Sequence, residues 1–141
     1  MSEVVRAVRI AMNVHSGQVD KNGEPYILHP LRVMASCGEL GEDYACAAVL
    51  HDVLEDSELE PIDLSHSYEF NAAVVGAVDA LTRRDGERYS DFIRRCAKNK
   101  IARVVKVSDI RDNMRPSCDP SATTRRQRYE NALVILLNED P

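Results

Sequence analysis

The chain has 141 residues, 44% of them apolar, 29% charged and 5% aromatic, with a formal net charge of −5. That size suits a single domain over residues 1–141 with a core of its own, and the lack of long Pro, Gly or Ser tracts excludes a disordered or linker-divided chain. The acidic balance excludes the basic surface that a polymeric nucleic acid requires, and so few aromatics argue against a stacking platform for single strands.

At the start of the chain, Glu3, Arg6 and Arg9 interrupt the apolar residues. Neither a signal-peptide core nor a membrane span is predicted, so no membrane association and a cytoplasmic location are expected. Val4, Val5, Val8, Ala11, Met12 and His15 recur at three- and four-residue intervals, which predicts a helix with one buried face, ended at Gly17. His15 lies on that face and reads as a hydrogen-bonded core histidine. Residues 18–26 are polar, Asn22-Gly23 is a turn signal, and Pro30 suits a first helical turn, so a loop is expected to deliver His29 to a helix start.

Helical spacing resumes from Leu31 to about Cys37 and from Asp43, a fair N-cap, to about Glu55, with Gly38 and Gly41 as stop and turn between them. An irregular acidic stretch follows around Pro61, with His66 near the start of a helix. Further stripes run through Phe70, Val74, Val75, Val78 and Leu81, then Tyr89, Phe92, Ile93 and Cys96, then Ile101, Val104, Val105 and Ser108. Tyr129, Leu133, Ile135, Leu136 and Leu137 close the series, and Arg125-Arg126-Gln127-Arg128 before them reads as a solvated helix face. No segment alternates as a strand does, and no repeat is present. The expected fold is an all-α bundle of about six or seven helices. Cys37, Cys46, Cys96 and Cys118 show no C-x-x-C pairing and read as free buried thiols.

Three segments concentrate the chemistry. His51 and Asp52 are adjacent on a predicted helix, about 100° apart, so one cation placed between their directions is within reach of both. Imidazole plus carboxylate suits Mn, Fe, Zn or similar ions. The run Ala45-Cys46-Ala47-Ala48-Val49-Leu50 before them is apolar, and a carboxylate placed there needs an offset for its desolvation. Glu55 and Asp56 follow one turn later, and three carboxylates so close raise the pKa of one toward acid–base use. Alone, this pattern also fits a charged helix face. Lys106, Asp109 and Asn113, at i, i+3 and i+7, set a cation, a carboxylate and an amide on one stripe, the make-up of a metal ligand with phosphate holders or of an ordinary exposed face.

Taken in order, His29, His51-Asp52 and Asp109 resemble the HD metal-dependent phosphohydrolase superfamily. The fuller pattern is His15-Ser16-Gly17-Gln18, Gly23-Glu24-Pro25-Tyr26-x-x-His29-Pro30, Ala48-x-Leu50-His51-Asp52-x-x-Glu55-Asp56, Ala80-Leu81-Thr82 and Lys106-x-x-Asp109-x-x-x-Asn113. It is similar to the hydrolase domain of the RelA/SpoT alarmone enzymes and their stand-alone small relatives, from about residue 6 to residue 137.

The resemblance implies that His29, His51, Asp52 and Asp109 ligate one Mn²⁺-type ion and that Glu55 and Asp56 handle the attacking water. It implies removal of the 3′-pyrophosphate from guanosine tetra- or pentaphosphate, with Lys106 and Asn113 facing the nucleotide and Lys21 a further phosphate contact. Tyr26 packs against that substrate or anchors its loop. A chain this short has no room for the synthetase and regulatory domains of the long enzymes. Nothing in the motifs speaks against a homo-oligomer.

One departure stands out: Val19-Asp20-Lys21-Asn22 occupies the place where the family usually has an arginine near the purine. A lysine in shifted register does not reproduce a guanidinium's stacking and forked hydrogen bonds. Two other readings stay open: a hydrolase of another nucleotide or phosphate ester, and a module that binds metal and nucleotide without turnover.

Overall fold

The computed structural model describes residues 2–138, which form eight α-helices and one 3-10 turn. The all-α expectation holds, with more helices than the six or seven expected. Helix α1 (Glu3–Val14) starts at Ser2, whose side chain accepts from the Val5 amide at 3.2 Å. Ala7, Ile10 and Ala11 are buried and Val4 and Val8 pack against the core, while Val5 and Met12, at the edge of the expected stripe, face outward.

After a loop, α2 (Leu28–Cys37) places His29 in its first turn, as expected. A 3-10 turn, Gly38–Leu40, leads to Gly41 at φ 141°, a conformation that glycine tolerates, and this makes the corner into α3 (Glu42–Leu50). The helix starts from Gly41, with Asp43 inside its first turn rather than at the cap. Every residue from Ala45 to Leu50 is buried. A helix that is apolar all round belongs at the centre of a bundle, and α1, α2, α5 (Ala72–Ala80) and α7 (Lys100–Asn113) pack against it.

The run into Glu55 does not continue as α-helix. The bonds His51 N→Ala48 O and Val53 N→Leu50 O are of the i→i−3 kind, and Ser57 Oγ donates to the Val53 carbonyl, which winds residues 51–57 into turns. The His51-Asp52 pair therefore sits at the C-terminal end of α3.

The acidic stretch holds a further helix, α4 (Pro61–His66), where Pro61 opens the first turn and Asp63 Oδ2 accepts from the Glu60 amide at 2.8 Å. His66 ends this helix rather than standing near a start. Helix α5 begins at Asn71, whose side chain caps Val74 N, and α7 begins at Asn99, which caps Ile101 and Ala102. Helix α6 (Tyr89–Ala97) and α8 (Ala122–Asn138) pack on each other and on α7. Cys37, Cys46 and Cys96 are buried free thiols as expected; Cys118 is exposed, because it lies in the loop before α8, where its thiol meets Asn22 Oδ1 at 3.0 Å. Among the described residues no helix is long and apolar enough to cross a membrane.

Candidate metal centre

The N-terminus of α2, the C-terminal end of α3 and the middle of α7 converge, and they bring His29, His51, Asp52 and Asp109 together. His51 is 2% exposed and donates Nδ1–H to the Ala48 carbonyl at 2.6 Å. In the neutral imidazole that bond leaves Nε2 as the bare ring nitrogen, buried and without a hydrogen-bond donor, 3.0 Å from Asp52 Oδ2 and 3.3 Å from Asp109 Oδ1. A lone pair held against two carboxylate oxygens is repulsive unless a cation stands between them. His29 Nε2 lies 2.8 Å from Asp109 Oδ1 and 3.9 Å from Asp52 Oδ2.

Donor atoms held about 2.1 Å from one first-row ion stand about 3 Å apart, which is the scale of these separations. One ligand atom each from His29, His51 and Asp52 falls within 4.8 Å of the others. The set of two imidazoles and two carboxylates fits a divalent transition metal.

Without a cation, protons fill that role. Burial pushes His51 down, but the charges of Asp52 and Asp109 outweigh it and hold the imidazole well above its ordinary pKa. His29 is also raised, against its burial, chiefly by the hydrogen bond to Asp109. Asp52 and Asp109 are held below the ordinary carboxylate value: burial opposes this, and His51 for Asp52, with Lys106 and His51 for Asp109, overcome it. The raised histidines stabilise the fold fully below their unfolded pKa of about 6.5 and lose that contribution as pH rises through the folded values. The lowered carboxylates contribute above about 3.9 and lose it as pH falls through their depressed values. A melting series in EDTA is therefore expected to peak between about pH 4 and 6.5, and the alkaline decline should shrink when Mn²⁺ is added. An alkaline decline that is the same with and without metal would contradict this account.

Around the four residues, the other side chains singled out by sequence take particular places. The Tyr26 hydroxyl donates to Asp52 Oδ2, and its ring packs on His15 and His29 with centroids 5.0 and 5.7 Å apart. Lys106 Nζ donates to Asp109 Oδ2 at 2.7 Å and Asn113 Nδ2 to Asp109 Oδ1 at 3.1 Å, so the predicted stripe of α7 converges on its own carboxylate. Lys106 also stacks its ammonium 4.9 Å over the Phe92 ring.

Glu55 Oε1 accepts from the Arg83 amide at 2.9 Å. Burial, with help from Asp52 and Asp56, raises the Glu55 carboxyl. The loop that presents Arg83 is clamped by Arg95, which forks onto Glu87 with two bonds of 3.0 Å and donates to the carbonyls of Ala80 and Thr82. Asp56 accepts from Gln18 Nε2 at 3.3 Å, and Gln18 Oε1 in turn accepts from Nδ1 of the buried His15 at 2.9 Å.

A cavity of about 650 Å³ opens beside His29 and Tyr26, and its lining includes Lys21, Arg32, Arg115 and Arg125. Lys21 is exposed at its rim, 3.0 Å from Asp119. Arg125 shares the same carboxylate at 2.9 Å, so the basic run of α8 is not wholly a solvated face: Arg125 turns inward because Asp119 precedes its helix, and Arg128 stacks 4.4 Å over Tyr89. Asp20 has a local task, since its Oδ1 accepts from the amides of Asn22 and Glu24 at 2.8 and 2.9 Å and closes the 19–25 hairpin.

The sequence reading missed Arg32 and Asp112. Asp112 Oδ2 stands 2.7 Å from His29 Nδ1, and Arg32 donates twice to the Asp112 carboxylate. The available signal was spacing, because Arg32 follows His29 and Asp112 follows Asp109 by three positions on the same helix face.

Three comparisons with known proteins bear on this arrangement. A model of the HD domain family matches residues 7–116. The GTP pyrophosphokinase of Streptomyces coelicolor is 34% identical over 126 residues, 82% of this chain and 15% of the relative. The guanosine-3′,5′-bis(diphosphate) 3′-pyrophosphohydrolase of Aquifex aeolicus is 33% identical over 123 residues, 80% of this chain and 17% of that one. The bifunctional (p)ppGpp synthase/hydrolase SpoT of Escherichia coli is 31% identical over 141 residues, 92% and 20% respectively. The chain thus spans a fifth or less of the length of these curated relatives. A solved structure of a metazoan ortholog of SpoT that hydrolyzes ppGpp superposes with a TM-score of 0.79 at 22% identity, over 98% of this chain and 86% of that one, and at that identity it shows a shared fold. With the family match running through His29, His51, Asp52 and Asp109, the chain belongs to the HD domain family.

Proposed function

We propose that this chain is a metal-dependent phosphohydrolase domain, residues 1–141, that removes the 3′-pyrophosphate from guanosine polyphosphate alarmones in the cytoplasm, giving GDP or GTP and pyrophosphate. The observation that carries this reading is the bare, buried Nε2 of His51 facing two carboxylates and a second imidazole. His29, His51, Asp52 and Asp109 would hold Mn²⁺. Bound there, the ion supplies a Lewis acid for activating water and polarising a phosphoryl group.

The remaining roles belong to the chain's own groups. Glu55, its carboxyl raised by burial and held in place by the Arg83 amide, takes the proton of the attacking water, and Asp56 orients that water from the Gln18 side. Tyr26 steadies Asp52 with its hydroxyl and offers its ring edge to the nucleotide. Lys106 and Asn113 bring a cation and an amide up to the phosphates beside Asp109, and Lys21 meets phosphate at the cavity rim. Glu55→Gln is expected to slow turnover by about 10²–10⁴-fold while metal content stays at the parental value. Loss of metal in that variant would move Glu55 among the ligands.

A second reading keeps the chemistry and changes the base. It rests on Asp20, which the hairpin commits to backbone amides at the place where the family usually has an arginine. The test incubates the purified chain with ppGpp and Mn²⁺, resolves products by chromatography, and runs EDTA-treated protein alongside. Metal-dependent GDP and pyrophosphate support the alarmone reading. Intact ppGpp beside cleavage of another nucleotide supports the second, and no cleavage of any nucleotide polyphosphate by metal-loaded protein rejects both.

A further inference from the structure

Helices α2 and α7 pack together, and each carries a residue of the metal centre and, one turn on, a residue of a supporting layer. The inner layer is His29 with Asp109; the outer layer is Arg32 with Asp112. Asp112 Oδ2 accepts from His29 Nδ1 at 2.7 Å. Arg32 donates Nε to Oδ1 at 2.8 Å and Nη2 to Oδ2 at 3.0 Å, a forked arrangement that leaves the Asp112 carboxylate one orientation. The Asp112 side chain is 11% exposed, so little water competes for those oxygens. The other histidine is supported differently, by the Ala48 carbonyl.

We propose that Asp112, clamped by Arg32, is the positioning carboxylate of His29: it accepts the Nδ1–H hydrogen bond and so keeps Nε2, which in the metal-free centre meets Asp109 Oδ1 at 2.8 Å, available as the ligand atom for a divalent ion. This rests on the reading of His29, His51, Asp52 and Asp109 as a metal centre. A carboxylate behind an imidazole fixes its tautomer and makes it a more basic ligand, so the two histidines differ, His29 being the stronger donor. Arg32 also lines the cavity, which gives a competing role as a contact for a substrate anion. The two roles separate cleanly, because a substrate contact changes KM and leaves metal affinity alone.

The experiment titrates the full chain with Mn²⁺, following the free ion by EPR, for the parent, Asp112→Ala, Asp112→Asn and Arg32→Leu. Asp112→Ala is expected to weaken Mn²⁺ binding about 10–100-fold, with Asp112→Asn and Arg32→Leu weakened by smaller factors in the same direction. Long-range ¹H–¹⁵N spectra of Zn²⁺-loaded parent should show His29 protonated at Nδ1, and Asp112→Ala should lose that signature. Asp112→Asn keeps the shape of the side chain and carries the test if the alanine variant does not fold. Mn²⁺ affinity within twofold of the parent in the folded Asp112 variants overturns the proposal. Unchanged affinity with a raised KM in Arg32→Leu overturns the clamp and gives Arg32 to the substrate. A parent chain that binds neither Mn²⁺, Fe²⁺ nor Zn²⁺ overturns the underlying metal reading, and is told apart because the parent itself fails.

Discussion

Asp52→Ala is expected to reduce turnover by at least about 10³-fold, or about 4 kcal/mol of transition-state stabilisation, while the bundle stays folded. Asp52 Oδ2 is one of the two carboxylate oxygens against the bare His51 nitrogen, and it accepts the Tyr26 hydroxyl. Removing it deletes a proposed ligand and loosens Tyr26, whose ring spans the gap between His15 and His29. The fold should survive, since Asp52 sits in the turn beyond α3 and contributes nothing to the apolar run from Ala45 to Leu50. Metal content by elemental analysis and single-turnover release of pyrophosphate check this together. Turnover within tenfold of the parent, with metal still bound, would remove Asp52 from the ligand set.

Asp109→Ala should be the more damaging substitution, because it removes a proposed metal ligand and a structural anion at once. Asp109 is 4% exposed and receives hydrogen bonds from Lys106 and Asn113, with both histidines beside it. Its loss leaves the Lys106 ammonium, whose side chain is 12% exposed, without its partner. Breaking a buried pair from one side costs about 3–5 kcal/mol, a large part of the roughly 5–15 kcal/mol that holds a domain together. A fall in Tm of roughly 10 °C in the metal-free protein follows. Adding Lys106→Met should recover part of that stability and none of the metal binding, because an uncharged side chain against Phe92 removes the unpaired charge without replacing the ligand. A Tm for Asp109→Ala within 2 °C of the parent would show that Lys106 finds another anion and that Asp109 carries no structural load.

Local pattern along the chain is enough for the class of fold and for the order of the candidate ligands. Apolar spacing of three and four residues marks one face of a helix wherever it occurs, and it identified most of the bundle from local pattern alone. The same spacing put Lys106, Asp109 and Asn113 on one stripe, and they do meet. It failed where local spacing and packing disagree: the pattern from Asp43 to Glu55 reads as one helix, yet hydrogen bonds from His51 and Val53 wind the chain tighter after Leu50. It passed over α4 because six residues with one buried leucine show almost no period.

How each candidate ligand is held depends on packing between helices. His29 depends on Asp112, 83 positions away, and Asp112 on Arg32, 80 positions away. Helical periodicity fixes which residues share a face of one helix, but it contains nothing about the face another helix presents. The packing of α2 on α7 selects that face, and with it the partner of every charge in the centre.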